Sequence, residues 1–337
     1  MSDLLAAPAS LSSDPILGLP LPTLWFALVF FVLAMFLFLD GFDFGVGALF
    51  ATREAPAEKE LLLATIGPFW DGNEVWLVVF GGALFAAFPP AYANLFSRHY
   101  LLMFAILGAL VLRGLAPEFY EQRHDERWQR YWGRGFVVGS VAAPFFLGVF
   151  VGNWVAGASR TLTAFGLLVG LATVALTVAD GATYLGLKTR GDLRDELAWY
   201  ATPAVAGYLA LVVVALGTLA LTRPTLRGVA LSPAVGGLVA ASAGLGIVAV
   251  SGVRRERYHL AFAAVAGMVF AFVGVAATLA YPAIDPAVGL SASAAAVSTL
   301  ALNLTTIFAA VLIPLVLGYF VFLYSTFRGP ASTDQSY

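Results

Sequence analysis

"TIGPFWDGNEVWLVVFGG", residues 65–82, sets two acids and an amide (Asp71, Asn73 and Glu74) inside an otherwise apolar run. The flanking residues extend that run to 61–88. This is too long and too continuously apolar for a barrel strand, which needs alternating segments of about ten residues. It reads as a membrane helix with polar groups at depth. The whole chain is of the same kind. Its 337 residues are 60% hydrophobic and only 11% charged, whereas a soluble domain is about 25% charged.

Nine stretches approach the roughly 20 apolar residues that a spanning helix needs. They are 23–51, 61–88, 92–116, 133–157, 163–187, 195–221, 230–252, 258–281 and 301–326. The expected fold is an all-α integral membrane protein of nine transmembrane helices. Residues 1–20 hold acids but no Lys or Arg. The first stretch therefore lacks the positive flank of a cleaved signal and is read as a retained helix. Basic residues concentrate after odd-numbered helices: Arg53 and Lys59, then Arg113 to Arg134, then Lys188, Arg190 and Arg194, then Arg254, Arg255 and Arg257, and finally Arg328. The opposite side has Arg98, Arg160, Arg223 and Arg227. The positive-inside rule then puts the N-terminus outside and the C-terminus in the cytoplasm. A net charge of −2 points to no nucleic-acid partner. The absence of cysteine excludes thiolate metal sites and cysteine nucleophiles.

An internal echo divides the chain. "LDGFDFGVG" (39–47) and "ADGATYLG" (179–186) both place an Asp-Gly pair near the cytoplasmic end of an outside-to-inside helix. Asp40 and Asp180 lie four helices apart, an even offset that keeps orientation, so the echo reads as a parallel repeat. The expected organisation is one four-helix unit over 1–160, a second over 161–290, and a ninth, peripheral helix with a cytoplasmic tail over 291–337.

The acids demand explanation. An ionisable side chain at the bilayer centre costs roughly 2.5–3.5 kcal/mol on insertion scales. Asp71 lies about ten residues into the second stretch, hence roughly 15 Å from its cytoplasmic end. Glu74 is one turn on, and Asp40 and Asp43 are one turn apart in the cytoplasmic third of the first helix. Candidate partners are Arg113, expected to end the third helix, and the donors Asn73, Trp70 and Trp76. Burial favours the neutral form of a carboxyl and a nearby arginine the charged form, so acids held between the two can take up and release protons. One reading is a proton relay from the cytoplasm through Asp40 and Asp43 to Asp71 and Glu74. The other is that these acids are interhelical glue or helix caps. Gly41 with Gly45, and Gly81 with Gly82, read as helix-packing positions. Trp25, Trp132, Trp154 and Trp199 fall near span ends and read as interface belts. There are only three histidines: His124 and His259 in basic loops, and His99 beside Arg98. No facing pair for a bis-imidazole haem can be built, and no phosphate loop, H-E-x-x-H or nucleophile elbow occurs.

"LDGFDFGVG" (39–47), "PFWDGNEVWLVVFGGALFAAFP" (68–89) and "DGATYLGLKTR" (180–190) resemble subunit II of the bacterial cytochrome bd quinol oxidases, including the cyanide-insensitive branch. The resemblance covers the whole chain. It implies two four-helix bundles plus one peripheral helix in the bacterial cytoplasmic (inner) membrane. It also implies a non-haem subunit, with no independent catalysis, of a complex that oxidises quinol and reduces dioxygen to water. Two b-type haems and one d-type haem are then expected in the partner, subunit I, and none on this chain. Subunit II would support haem assembly and contribute a cytoplasmic proton path and a dioxygen route. Quinol and dioxygen are partners of the complex. A small single-helix subunit, lipid and a structural quinone remain open. Trp70 and Asp71 match the family's W-D pair near the haem-facing subunit interface, where Asn73 and Arg113 are also placed. Asp71, Glu74, Asp40 and Asp43 are the expected proton path, and Asp180 the repeat-equivalent acid. Phe69 stands where some members have histidine, so no ligand role falls there. Glu74 stands where some have glutamine; it either adds a second acid that makes the path more protonatable or simply pairs with an arginine. The link between helices six and seven is short, so no elaborate quinone-binding loop is expected. Two other classes stay open on the residues themselves. A secondary transporter also predicts repeats and mid-membrane acids, although Pro68 and Pro144 form no matched pair of helix breaks. A purely structural assembly subunit would use the acids as glue.

Overall fold

The computed structural model describes residues 11–123 and 125–331; His124 lies outside them. In chain order the elements are α1 (Leu21–Phe50), α2 (Pro56–Ile66), α3 (Trp70–Ala87), α4 (Pro89–Arg98), α5 (Tyr100–Gln122), α6 (Glu126–Val155), α7 (Ala164–Lys188), α8 (Gly191–Trp199), α9 (Ala201–Thr222), α10 (Pro224–Ala230), α11 (Pro233–Arg254) and α12 (Tyr258–Ala280). A small antiparallel ribbon of β1 (Ala283–Asp285) and β2 (Leu290–Ser291) follows, then the single turn α13 (Ala292–Ala295) and α14 (Thr299–Thr326). Among the described residues, eight stretches are long and apolar enough to cross a membrane: α1, α5, α6, α7, α8 with α9, α11, α12 and α14. The protein is an all-α membrane protein, as its composition requires.

Two expected spans are built differently. The 61–88 stretch is two helices, α2 and α3, separated at residues 67–69. Pro68 has no N–H to donate, and its ring crowds the preceding turn. α3 has 18 residues, and its polar start keeps it out of the most apolar set. The 92–116 stretch is likewise divided. Pro89 opens the short α4, and α5 starts afresh at Tyr100 after His99. Arg113 therefore does not end a helix; it lies within α5, fully buried at 1% exposure. The link between α9 and α11 is short, as expected, and holds only the seven-residue α10.

α1 and α7, the two helices with Asp-Gly pairs, pack against each other at the centre. A side chain on Gly45 would run into the backbone of Thr177 and Gly181, and one on Gly181 into the backbone of Gly45 and Val46. Only glycine allows this approach, the membrane solution of small residues at a helix crossing. The other contacts recur in pairs: α1 on α3 as α7 on α9, α5 on α6 as α11 on α12, and α6 on α7 as α12 on α1. Gly81 and Gly82 differ from the expectation, because a side chain at either would meet nothing within 4 Å in this chain.

α14 stands aside, with only 6% of its apolar window buried against 56% for α1. Polar pins hold it at both ends. Near its start, Asn303 is wholly buried; it donates to the Leu11 and Asp14 carbonyls and accepts from the Ile16 N–H at 2.7 Å. Trp25 Nε1 donates to Thr306 Oγ1 at 2.9 Å. Near its end, Tyr324 donates to Asn73, and Lys188 Nζ donates to the Phe327 carbonyl. Trp25 and Trp154 are thus not belt residues. They are 5% and 1% exposed, and their indole N–H groups are used inside the chain, Trp154 on the Ile284 carbonyl. Trp199, 61% exposed, does sit as a belt residue would.

The central crossing can be tested directly. Gly45→Val should destabilise the protein by about 1–3 kcal/mol or more through overpacking. Gly217→Ala, at a helical glycine with nothing within 4 Å, should be close to neutral. Thermal unfolding of the detergent-purified protein compares the two.

Candidate functional site

Three acids converge on one guanidinium inside the helices. Arg113 on α5 holds Asp40 Oδ1 at 2.9 Å, Glu74 Oε2 at 3.5 Å and Asp43 Oδ2 at 3.7 Å. Asp40 and Asp43 are 0% exposed and Arg113 1%, while the Glu74 side chain is 31% exposed. The local sequence explains the convergence. Asp40 and Asp43 are three apart on α1 and so share a face. On α3, Asn73, Trp76, Phe80, Leu84 and Ala87 form the buried stripe, and Glu74 borders it. Arg113 Nη2 lies within hydrogen-bonding distance of Asp40 Oδ1. The guanidinium also lies over the Phe44 ring, 4.6 Å from its centroid, and 5.9 Å from that of Trp70. These aromatic faces add cation–π attraction where water is excluded.

A polar chain extends from the cluster. Asn73 Nδ2 donates to Asp43 Oδ2 at 2.9 Å, and Tyr324 Oη donates to Asn73 Oδ1 at 2.9 Å. Asp180 sits across the α1–α7 crossing. Its Oδ2 is 3.1 Å from where a Gly41 side chain would begin. Both its oxygens are buried with no hydrogen-bond partner among the described residues. α11 packs on α12 as α5 packs on α6, and its basic residue Arg254 is exposed at the end. Asp180 therefore has no counterpart of Arg113.

The expected site residues thus separate. Asp40, Asp43, Glu74 and Arg113 come together, with Asn73 attached. Asp71 is exposed on the opposite face of α3, in the first turn, where an acid favours the helix dipole. Asn73 and Arg113, placed at a subunit surface by the resemblance, are buried within this chain at 0% and 1%. Of that trio only Trp70 is part-exposed, its ring packed on α5 at Gly114.

The sequence reading missed Glu118 and Glu121. With Pro117, Arg113, Trp70 and Gly67, they line a cavity of about 120 Å³, room for a few waters at about 30 Å³ each. Ending the helix at 116 turned both glutamates into loop residues. Their three-residue spacing, which puts them on one side of a helix, was the available signal. Tyr324 had none, since it meets Asn73 across 251 residues of sequence.

At the other end of α5, Arg98 makes a two-point ion pair with buried Asp285, at 2.7 and 3.0 Å. This ties α4 to the β1 strand. His99 is 1% exposed, edge-on to Phe150, and neither ring nitrogen has a hydrogen-bond partner. His259 is exposed at the start of α12. The two do not face each other, and the described residues contain no group of three or more His, Cys, Asp or Glu that could hold a metal ion.

The fold and cluster define a polytopic membrane subunit with charge held inside its helices. Comparison with known proteins makes this specific: the model for cytochrome bd terminal oxidase subunit II matches residues 21–327, and the chain belongs to that family. It is similar to the cytochrome bd-I ubiquinol oxidase subunit 2 of Escherichia coli K12, 37% identical over 211 residues, 57% of this chain and 55% of that protein. It is also similar to the cytochrome bd ubiquinol oxidase subunit 2 of Bacillus subtilis 168, 39% identical over 188 residues, 51% of this chain and 55% of that protein. The matched part spans about half the length of these relatives. The bd oxidase structure from Geobacillus thermodenitrificans has the same fold, with a TM-score of 0.74 at 16% identity, covering 92% of this chain and 99% of that one.

Removing Arg113 should be among the most damaging single changes. Arg113→Leu strands buried acids, a loss of about 3–5 kcal/mol. Adding Asp40→Asn should recover part of it, which chain accumulation and melting in detergent would register. His99 yields a pH prediction. Burial, reinforced by Arg98, pushes the imidazole down from 6.5 to about 4. The unfolded chain then binds this proton at pH values where the folded one does not. The stabilisation is complete above pH 6.5 and is lost as pH falls toward 4, by about 3 kcal/mol at most. His99→Phe should flatten the fall in melting temperature between pH 6.5 and 4.

Proposed function

We propose that the chain is the non-haem membrane subunit of a quinol:dioxygen oxidoreductase and carries protons from the cytoplasm toward the haem-bearing subunit I. The observation that carries this reading is the cluster itself. One guanidinium cannot neutralise three carboxylates, so charge balance inside the helices is completed by protons, and the cluster stores them. Supply comes through the cavity at Arg113, with Glu118 and Glu121 at its cytoplasmic side. Delivery runs through part-exposed Glu74 to Asp71 on the outer face of α3. That face continues with exposed Val75, Val78 and Phe85, beside exposed Leu101, Phe104, Leu107 and Val111 of α5. Here it is the surface that subunit I covers.

The paired contacts about the α1–α7 crossing support two four-helix units, 1–160 and 161–290, with α14 peripheral. The run of basic loops supports an outer N-terminus and a cytoplasmic C-terminus. Dioxygen reduction consumes protons, and drawing them from the cytoplasm builds a membrane potential without pumping. Support of haem-subunit assembly belongs to the same reading, because α3 and α5 offer a broad apolar face. The entirely apolar crevice between the halves, lined by Leu33, Leu37, Val169, Ala215 and Phe272, suits a dioxygen route.

The test starts with the complex purified through a tag on this chain. Reduced-minus-oxidised spectra should show b- and d-type haem bands, together with quinol-driven oxygen uptake. Asp71→Asn should lower that uptake on the order of 10- to 100-fold with haem content retained. Loss of haem instead would assign Asp71 a structural role, and unchanged turnover would remove it from the path.

A further inference from the structure

Tyr324 lies on α14, the helix least involved in the core, yet its hydroxyl reaches the cluster. The chain Tyr324 Oη to Asn73 Oδ1 and Asn73 Nδ2 to Asp43 Oδ2 has both links at 2.9 Å. Asn73 and Asp43 are 0% exposed, so no bulk water competes for the amide. The ring of Tyr324 is held without help from its hydroxyl. It stacks on Phe69 at 4.6 Å and 7° between planes, and packs against Phe320 and edge-on to Phe42. The hydroxyl is thus presented at a fixed point.

We infer that Tyr324 is a positioning residue for Asp43: it anchors the Asn73 amide in two defined orientations, between which the amide turns when Asp43 gains or loses its proton. This rests on the proposed role of Asp43 in the proton path. The argument is one of donors and acceptors. An ionised carboxylate only accepts, so the amide must present its NH2 to Asp43, and its carbonyl then takes the Tyr324 O–H. That is the arrangement observed. A protonated Asp43 has an O–H to donate on the side facing Asn73. The amide answers it by turning 180° about its last torsion, so that Oδ1 accepts from Asp43 and Nδ2 donates to Tyr324. A tyrosine hydroxyl both donates and accepts, so it satisfies either orientation. Only the proton on Asp43 changes; Tyr324 keeps its own. A phenylalanine would leave the buried amide satisfied at one end only in either orientation, so the two defined orientations, and a discrete turn between them, would be lost.

Other groups also face Asp43. They are Arg113 from α5, Asp40 from α1, Glu74 from α3, and Asp180 and Tyr184 from α7. None bonds the Asn73 amide. The Tyr324 hydroxyl therefore acts on Asp43 by a route separate from the Arg113 ion pairs.

The experiment uses the tagged complex with subunit I, comparing wild type, Tyr324→Phe and Asp43→Asn. Asp43→Asn should lower quinol-driven oxygen uptake at least tenfold; if it does not, the proton-path reading itself is overturned. With that drop in hand, Tyr324→Phe should retain haem and displace the acid limb of the uptake-against-pH profile by about half a unit or more, since the Asn73 amide that bonds Asp43 loses its second anchor. A pH-jump infrared difference spectrum of the wild type should pair a carboxyl C=O band, lost in Asp43→Asn, with an asparagine amide band. Tyr324→Phe should abolish the amide component. An unmoved profile together with an unchanged amide band would overturn the positioning role while leaving the path intact.

Discussion

Everything in this chain is arranged around one guanidinium held out of water. Arg113 brings a positive charge into the helices, and α1 and α3 bring three carboxylates to meet it. Moving ions from water to a low-dielectric interior costs several kcal/mol each, and Coulomb attraction repays it only with good geometry. Here the repayment is incomplete by construction. Three acids face the one cation. An ion pair retained for stability alone would be one to one and fully hydrogen-bonded. A surplus of carboxylates leaves room for protons, and that surplus is what supports the proposed relay over glue.

The cluster can exist because the helices behind it come unusually close. The contact of Gly45 with Gly181 lets α1 and α7 touch backbone to backbone, so Asp40 and Asp43 sit at the centre of the protein instead of facing lipid. The same crossing brings in Asp180 from the second half. The halves share a packing pattern but not a charge pattern. The first supplies the arginine and the acid-rich α3; the second supplies an acid with no cation beside it. The recurring contacts fit the proposed two-unit repeat, and the unequal charges place the arginine-centred cluster on one side of it.

Much of this was legible in the sequence, and the limits have physical causes. Hydropathy located the spans because lipid leaves the backbone few alternatives to helix. The acids stood out because burying them is expensive. Their grouping with Arg113 is legible as a candidate, but hydropathy ends the span at 116, where the charged residues begin, whereas α5 continues through Pro117 to Gln122 and takes Arg113 into its interior. Asp71 was judged by its depth along the chain. Depth says nothing about which way a residue faces; the break at Pro68 and the new phase starting at Trp70 decide that. The tryptophans near span ends were misread for a similar reason: proximity to an interface is a one-dimensional property, and Trp154 finds its acceptor on the ribbon at Ile284.

The position of Asp71 is what ties the interior to a partner. α3 has a buried face, where Asn73 joins the cluster, and an exposed face, where Asp71 stands alone among apolar side chains. Glu74 lies between them, ion-paired to Arg113 on one side and part-exposed on the other. An exposed acid at the edge of an apolar helix face is costly against lipid and useful against protein. If subunit I covers this face, Asp71 passes from a surface charge to a buried one on assembly, and the three carboxyl positions from Asp43 through Glu74 to Asp71 become continuous with the partner's interior. Assembly would then complete the path as well as stabilise it, which explains why one subunit can be needed both for holding the haem-bearing chain together and for feeding it protons.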